Sequence, residues 1–323
     1  MSALSSLRAT ATPHRSRLRR QAPMFVVYGL LALLFIIGAL YAERFLTSRN
    51  LINVLRQAAF LGTVALGQTL VILAGGIDLS VGSLVKVTVL VTAIVMDGRA
   101  EMTGLAMITG LALGAGVGLL HGLLVTRLHV APFIATLGTY SILRGIALAI
   151  ANKPVGQASP AMLAFYDIRI GNIPVMIIGF ALLLLLLWWL LRRTIFGRYL
   201  YAIGGSEPAA RLSGLPVDRV KIGTYMLCST LAAVTGLLYL SRMGLGDPNV
   251  ADGLELQAIT AVILGGTSLA GGSGSIWGTL GGVLLLGLTN NLLVAFNVNT
   301  YLQDLVEGMI IVGAVALYKQ KRR

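Results

Sequence analysis

Ala181–Leu191 reads ALLLLLLWWLL, an apolar run without a single charged residue. A second uninterrupted run, LLALLFIIGAL, covers Leu30–Leu40. Strands of a membrane β-barrel alternate apolar and polar residues with a period of two, and neither run shows that alternation. The runs therefore predict α-helices that span a membrane.

The composition of the whole chain supports the same class. Of its 323 residues 56% are hydrophobic and 11% are charged, and the mean hydropathy is +0.86. A soluble domain carries about 25% charged residues, so an ordinary globular enzyme is excluded. A span needs about 20 mostly apolar residues, which gives this length room for roughly 8 to 11 helices. The 39 glycines fit this class, because membrane helices tolerate glycine.

We predict an all-α integral membrane protein of about ten transmembrane helices. The first is interpreted as a retained helix, because Leu40-Tyr41-Ala42 lacks the small residue expected at a cleavage site. The predicted spans are 24–42, 52–73, 79–96, 102–126, 130–151, 173–191, 219–240, 255–270, 275–296 and 300–318. These spans divide the chain into a basic cytoplasmic tail (1–23), a polytopic transmembrane domain (24–318) with a cytoplasmic loop at 192–221, and a second basic tail (319–323).

The basic residues determine the predicted orientation. The net charge is +13, but lysine and arginine lie at the ends of the apolar runs, so nucleic acid is not a predicted partner. With the N-terminus inside, 16 basic residues fall in cytoplasmic segments and 6 in external loops. This asymmetry predicts that both termini are cytoplasmic. Cys228 lies alone in an apolar stretch and is interpreted as a packed side chain.

Two glycine-rich segments are similar to each other. Gly75–Ser83 (GGIDLSVGS) and Gly265–Ser273 (GGTSLAGGS) share five of nine residues. Each precedes glycines spaced four apart, a pattern that favours close helix packing. Interrupted helices at matching places in two halves indicate a transport pathway. We predict two degenerate structural repeats; the alternative is that apolar, glycine-rich helices resemble one another by composition alone.

No motif for bond chemistry emerges from the sequence. A phosphate-binding loop needs a Gly-Lys pair, which the chain lacks, and three histidines with one cysteine predict no metal site. Gly271–Gly274 resembles the serine motif of rhomboid-type intramembrane proteases. In those enzymes the histidine base follows the serine, whereas His121 and His129 precede Ser273. We predict no catalytic residue and no cofactor.

Polar residues within the spans are expected to face a cavity, a partner or the interface. Asp78 has two interpretations, as a cap for the helix that follows it or as a contact for the solute. The role of Lys86 is left open. For the others the alternative is hydrogen bonding between helices. The predicted solute path consists of Asp78, Ser80, Thr136, Thr139, Arg144, Asn290 and Asn291.

The loop 192–221 contains a short predicted helix. Ser206 suits its N-cap, Pro208 is allowed in the first turn, and Gly214 suits its end. Such a helix either lies on the bilayer or docks as a rigid peg in a soluble partner.

Four segments carry a resemblance to a known family: Gly76–Gly82, Pro132–Thr139, Phe196–Gly214 and Leu264–Gly272. Together they resemble the permease subunits of bacterial ABC importers for ribose and related monosaccharides, in the branched-chain amino acid/ribose permease superfamily. The resemblance runs from about residue 50 to 316.

The resemblance implies a translocation subunit in the bacterial inner membrane without an ATPase site of its own. Its implied partners are a second permease subunit, a cytoplasmic ATP-binding-cassette ATPase that binds the ATP, an extracytoplasmic sugar-binding protein and the lipid bilayer. The residues implied to couple to the ATPase are Glu207, Ala209, Ala210, Arg211 and Gly214. Pro208 and Lys86 depart from what the family usually has at these positions.

The sequence also leaves a rival function open. A self-sufficient secondary transporter would use carboxylates coupled to protons, and Asp304 and Glu307 of the last span are the candidates. Their place near the external start of that span fits simple positioning at the interface as well.

Overall fold

The computed structural model describes residues 13–320 and is built from helices. The helices are α1 (Pro13–Tyr41), α2 (Ser48–Leu73), α3 (Val81–Met96), α4 (Thr103–Thr126), α5 (Pro132–Ile150), α6 (Pro160–Asp167), α7 (Val175–Arg193), α8 (Ile195–Gly205), α9 (Glu207–Leu212), α10 (Val217–Met243), α11 (Leu254–Leu264), α12 (Ile276–Ala295) and α13 (Thr300–Gln320), with a 3₁₀ turn at Ala100–Met102. Between α6 and α7 a small antiparallel hairpin pairs β1 (Arg169–Ile170) with β2 (Ile173–Pro174).

Helix α2 forms the centre of the molecule. Every residue from Ala58 to Leu73 is buried, because α10, α12, α11 and α7 pack around it. Its two threonines bond within the helix: the hydroxyl of Thr63 donates to the carbonyl of Ala59, and that of Thr69 to the carbonyl of Ala65. A helix hydrogen-bonds its own backbone, so α2 can be buried along this length.

The spaced glycines of α4 pack against α10, as their pattern predicts. Gly110, Gly114, Gly118 and Gly122 are all buried. A methyl group on Gly114 would lie 2.8 Å from the carbonyl oxygen of Ser229, and one on Gly122 would lie 2.7 Å from the Cα of Ile222. Only glycine allows the two backbones to approach this closely.

Seven helices of the described chain are long and apolar enough to cross a membrane. They lie within α1, α2, α4, α5, α7, α10 and α12, where α4 is counted together with the 3₁₀ turn before it. Val81–Met96 and Leu254–Leu264 are apolar but shorter. The all-α class and the multi-pass arrangement are confirmed, whereas the count of ten spans and the two repeats stay predictions.

Two helix boundaries differ clearly from the predicted spans, and one of them falls within residues 255–270. There α11 ends at Leu264, because Gly265 terminates it and Gly266 adopts a φ of +85°, which a side chain would disfavour. At the other end of the chain, α1 begins at Pro13, within the segment predicted as a tail. The remainder of the predicted tails, residues 1–12 and 321–323, lies outside the described residues.

Both glycine-rich segments are interruptions between helices, as predicted. The first joins α2 to α3 and the second joins α11 to α12. We call them break 1 (residues 74–80) and break 2 (residues 265–275). The N–H of Gly272 in break 2 donates to the carbonyl of Leu73, the last residue before break 1, at 3.0 Å. The two interruptions therefore lie side by side.

Candidate functional site

Asp78 lies in break 1 and is completely buried. Its Oδ1 accepts hydrogen bonds from the N–H of Ser80 at 2.9 Å and from the hydroxyl of Ser80 at 2.7 Å. Ser80 is the residue at which α3 begins, so the carboxylate fixes the turn into that helix. Gln68 of α2 binds the backbone of Asp78. With its amide oriented to pair both groups, it donates to the Asp78 carbonyl and accepts from the Asp78 N–H, each at 3.2 Å.

His121 of α4 is the neighbour of Asp78 that sequence reasoning missed. Its Nδ1 lies 3.6 Å from Oδ2 of Asp78, and both side chains are fully buried. The ring of Tyr225 from α10 lies edge-on to the imidazole with centroids 6.0 Å apart. Among the described residues, Oδ2 of Asp78, both nitrogens of His121 and the hydroxyl of Tyr225 have no hydrogen-bond partner. Asp78, His121 and Tyr225 thus form a polar cluster beside break 1 that apolar helices enclose.

The hydroxyls of α5 bond to protein backbone. Thr136 donates to the carbonyl of Ile77 in break 1 at 3.2 Å and lies 3.0 Å from the carbonyl of Pro132. Thr139 donates to the carbonyl of Ala135 at 3.0 Å. Both threonines are buried. In this conformation Thr136 joins α5 to break 1, whereas Thr139 bonds within α5.

Arg144, further along α5, is exposed, and its charge acts on the buried Glu255 of α11. Lys86 of α3, whose role the sequence left open, pairs with Asp252 at 2.6 Å. Lys86 is buried, whereas Asp252, in the turn before α11, is mostly exposed. A mixed-charge group therefore links α3 to the start of α11, and its exposed members face away from the core.

The two asparagines of α12 are half-buried. Asn291 exchanges hydrogen bonds with Asn50 of α2: each Nδ2 donates to the other's Oδ1, at 2.8 and 3.1 Å. This is the helix-to-helix bonding that the sequence left as the alternative. Contact of Asn290, Asn291 or the α5 residues with a solute stays a prediction.

The predicted short helix in the loop 192–221 is present as α9. The hydroxyl of Ser206 caps it by accepting from the N–H of Ala209 at 3.4 Å, and Gly214 follows with a φ of +74°. The preceding α8, which is amphipathic, was not predicted. The order of the two helices places α9 at the tip of this loop.

Glu207 is the centre of an ionic network that fixes α9 to α10. It accepts from Lys221 at 2.5 Å and from Arg211 at 3.0 Å, and Arg211 also donates to Asp218 at 2.7 Å. Partial burial would raise the pKa of Glu207, but the hydrogen bonds from Lys221 and Arg211 outweigh it and lower the pKa below its ordinary value. The network therefore holds α9 in one orientation at neutral pH.

The side chains of α9 divide into two groups. Ala210 is 4% exposed and packs in the apolar cluster with Leu200 and Ile203 of α8, so its methyl group is covered by this chain. Ala209, Arg211 and Gly214 are exposed. Leu212, which the sequence did not single out, is 91% exposed. The signal in the sequence is a leucine at the end of a short helix that has no other large apolar side chain.

Helix α8 connects this loop to both breaks. A methyl group on Gly204 would overlap the carbonyl of Leu73 and the N–H of Gly272. The hydroxyl of Tyr201 donates to the carbonyl of Gly274 in break 2 at 3.0 Å. A movement of α8 must therefore displace break 1, break 2 or both.

The residues that a serine protease or a proton-coupled transporter would use do not form a site. Ser273 is exposed in break 2, whereas His121 is buried against Asp78. Glu307 of α13 accepts a hydrogen bond from the amide of Gln257 at 3.1 Å, and Asp304 is exposed. This arrangement favours neither a serine protease nor a proton-coupled carrier.

Comparison with known proteins identifies the class. Residues 50–315 match the family described as Branched-chain amino acid transport system / permease component, and the chain belongs to that family. It is therefore a multi-pass membrane transport subunit and not an enzyme.

Named relatives cover nearly the whole chain. It is 42% identical over 297 residues to the ribose import permease protein RbsC of Bacillus subtilis, which covers 91% of each chain. It is 40% identical over 301 residues to RbsC of Escherichia coli, covering 91% of this chain and 92% of the relative. The L-arabinose transport system permease protein AraH of Escherichia coli is 36% identical over 302 residues, 92% of each chain. No solved structure gives a significant match.

Proposed function

We propose that this chain is the translocation subunit of an ATP-driven importer for a monosaccharide such as ribose. The observation that carries the proposal is the continuous contact from the exposed helix α9, through α8, to both breaks. A transport subunit that is driven by an ATPase needs an element that converts movement of the ATPase into rearrangement of the solute path. The helices α8 and α9 supply such an element.

The energy comes from a partner in this proposal. A cytoplasmic ATP-binding-cassette ATPase binds and hydrolyses ATP, and the permease itself needs no cofactor. Leu212 inserts as an apolar anchor into a groove of the ATPase, while Glu207, Ala209, Arg211 and Gly214 surround it. Exposed apolar anchors of this kind, rimmed by charged residues, are common at protein interfaces.

The solute crosses between two permease subunits. Asp78, Ser80, Thr136, Thr139, Arg144, Asn290 and Asn291 are the proposed path residues. In the conformation that we describe, several of their polar groups bond to backbone or to other side chains. Opening of the breaks would release those groups toward the solute.

The solute class follows from the relatives. Two of them are named for ribose and one for L-arabinose, so a pentose is the proposed cargo. An extracytoplasmic sugar-binding protein delivers it. We place the protein in the bacterial inner membrane with both termini in the cytoplasm, because the basic residues are concentrated on that side.

The decisive experiment is uptake in proteoliposomes. The chain reconstituted with its ATPase and binding protein should take up ribose or another pentose only when ATP is present on the cytoplasmic side of the permease. A proton gradient should not drive this uptake. Transport by the chain alone, driven by a proton gradient, would overturn the proposal and favour the secondary transporter.

A variant tests the proposed contact in the same assay. Leu212→Ser should weaken binding of the ATPase by roughly 30-fold, since removing an anchor costs about 2 kcal/mol. ATP-driven uptake should fall with it, and the ATPase should be released during purification. Leu128→Ser is the matched control, because Leu128 is an exposed leucine of the segment after α4 and is not part of α9. Equal behaviour of the two variants would mean that α9 is not the contact.

A further inference from the structure

A basic cavity lies at the end of α2 that is opposite to α8 and α9. It has a volume of about 360 Å³. With 26 residues, α2 is about 39 Å long, so this cavity is about a bilayer's thickness away from Leu73. Residues of α2 and of the β1–β2 hairpin line it: Ser48, Arg49, Ile52, Asn53, Arg56, Arg169 and Asn172.

Arg56 is the buried charge of this cavity, 8% exposed. Its Nη2 donates to the carbonyl of Tyr166 at 3.2 Å, and its guanidinium carbon lies 4.2 Å from the centre of the Tyr166 ring. Its Nε has no hydrogen-bond partner among the described residues. Burying a donor without an acceptor is costly, so a ligand that accepts this hydrogen bond would stabilise the site.

The other charges of the cavity are also positive and unpaired. Within residues 13–320, neither Arg49, Arg56 nor Arg169 forms an ion pair with a carboxylate, and no acidic residue lines the cavity. The first turn of α2 adds the positive end of a helix dipole. Three guanidinium groups that line one cavity match the oxygens of a phosphate group.

The surroundings of the cavity are apolar. Ile170 of β1 is 65% exposed and follows Arg169 directly; Ile173 of β2, next to Asn172, and Ile168 are exposed as well. An anion dissolved in water gains nothing from exposed isoleucines beside its site. A ligand with a charged head and hydrocarbon chains uses both surfaces.

We propose that this cavity binds the phosphate group of an anionic phospholipid such as phosphatidylglycerol. Arg56 and Arg49 contact the phosphate oxygens from α2, and Arg169 contacts them from the hairpin. The acyl chains lie along the isoleucines. This lipid site is independent of the identity of the transported solute.

Titration of the purified full-length chain in neutral detergent tests the proposal, with binding followed by native mass spectrometry and thermal unfolding. Phosphatidylglycerol should bind and raise the unfolding temperature, whereas phosphatidylcholine and inorganic phosphate should do so only weakly. The double variant Arg49→Gln/Arg169→Gln should weaken phosphatidylglycerol binding by about 25-fold, roughly fivefold for each arginine. It leaves the buried Arg56 in place, so folding is preserved.

Arg99→Gln is the control, because Arg99 is an exposed arginine in a neighbouring loop at the same end of the spans and does not line the cavity. Equal binding of the two phospholipids, or equal losses in the control and the double variant, would overturn the proposal. Inorganic phosphate binding as tightly as the lipid would make this a site for a free anion. If the double variant keeps lipid binding but loses docking of the sugar-binding protein, the arginines serve that protein instead.

Discussion

Asp78 and His121 bring a carboxylate and an imidazole within 3.6 Å of each other where no solvent reaches. Changing one member of a buried polar pair leaves the polar atoms of the other without their neighbour, which costs more than changing both members together. Ser80 and Gln68 hold the carboxylate from the other side. At the scale of single residues, these contacts determine the shape of break 1.

This pair gives a prediction in the form of a double-mutant cycle. Asp78→Asn and His121→Gln should each destabilise the protein by about 3 kcal/mol, while the double variant should be more stable than the sum of the two losses implies. Chemical or thermal unfolding in detergent measures all four proteins. Strict additivity would show that the two side chains act independently, despite their proximity.

The sequence predicted part of this cluster. Asp78 was predicted to cap α3, but the N-cap residue is Ser80 and Asp78 bonds to Ser80 itself. A role at the start of α3 could be predicted because the two residues are close in the chain. The pairing with His121 depends on how α4 packs against break 1, which no local pattern contains. For the same reason the Lys86–Asp252 pair could not be predicted, since it joins α3 to a turn far along the chain.

Helices α8, α9 and α11 show what determines whether a helix can be predicted from the sequence. Ser206, Pro208 and Gly214 are strong local signals, and α9 is present where they predict it. Helix α11 is shorter than its apolar pattern because the glycines after Leu264 end it. Helix α8 was missed because its pattern merges with the end of the preceding apolar run, and Thr194 alone separates it from α7.

Two adjacent glycines of α8 provide the test at this scale. A methyl group on Gly204 would overlap backbone atoms of Leu73 and Gly272, whereas one on Gly205 would meet no atom within 4 Å. Gly204→Ala should therefore lower ATP-driven uptake by about tenfold, in line with an overpacking cost of about 1–3 kcal/mol. Gly205→Ala should leave uptake unchanged.

The readout is ATP hydrolysis and sugar uptake in the same proteoliposomes. Gly204→Ala should retain hydrolysis while uptake falls, because α8 transmits movement and does not bind ATP. If both variants transport like the parent protein, the contact between α8 and the breaks is not part of coupling.

The whole molecule is a helical bundle with buried α2 and α3 and with peripheral helices that expose apolar side chains. Leu182 and Trp189 of α7 are examples of that outer surface. Composition alone predicted this class, because a chain with so few charges cannot cover itself with a wetted surface. Neither the order of packing nor the closeness of the two breaks followed from composition, since both depend on contacts between distant segments.

The orientation in the membrane is a prediction for the whole molecule. Reporter fusions after Arg323 and within 200–215 should both report the cytoplasm, and a fusion within 155–168 should report the outside. The reason is the concentration of basic residues on one side. Alkaline phosphatase and fluorescent-protein fusions measure the two outcomes, and an external C-terminus would contradict both the orientation and the even number of spans.

The hydrogen bond between Gly272 and the carbonyl of Leu73 also has an evolutionary consequence. It joins two main-chain groups, so no side-chain replacement removes either of them directly. A one-residue insertion or deletion in break 1 or break 2 would shift the register and leave both groups unpaired in the interior, at a cost of about 1–3 kcal/mol each. Drift in this pair of segments is therefore restricted to changes of residue type, and their lengths should stay fixed together.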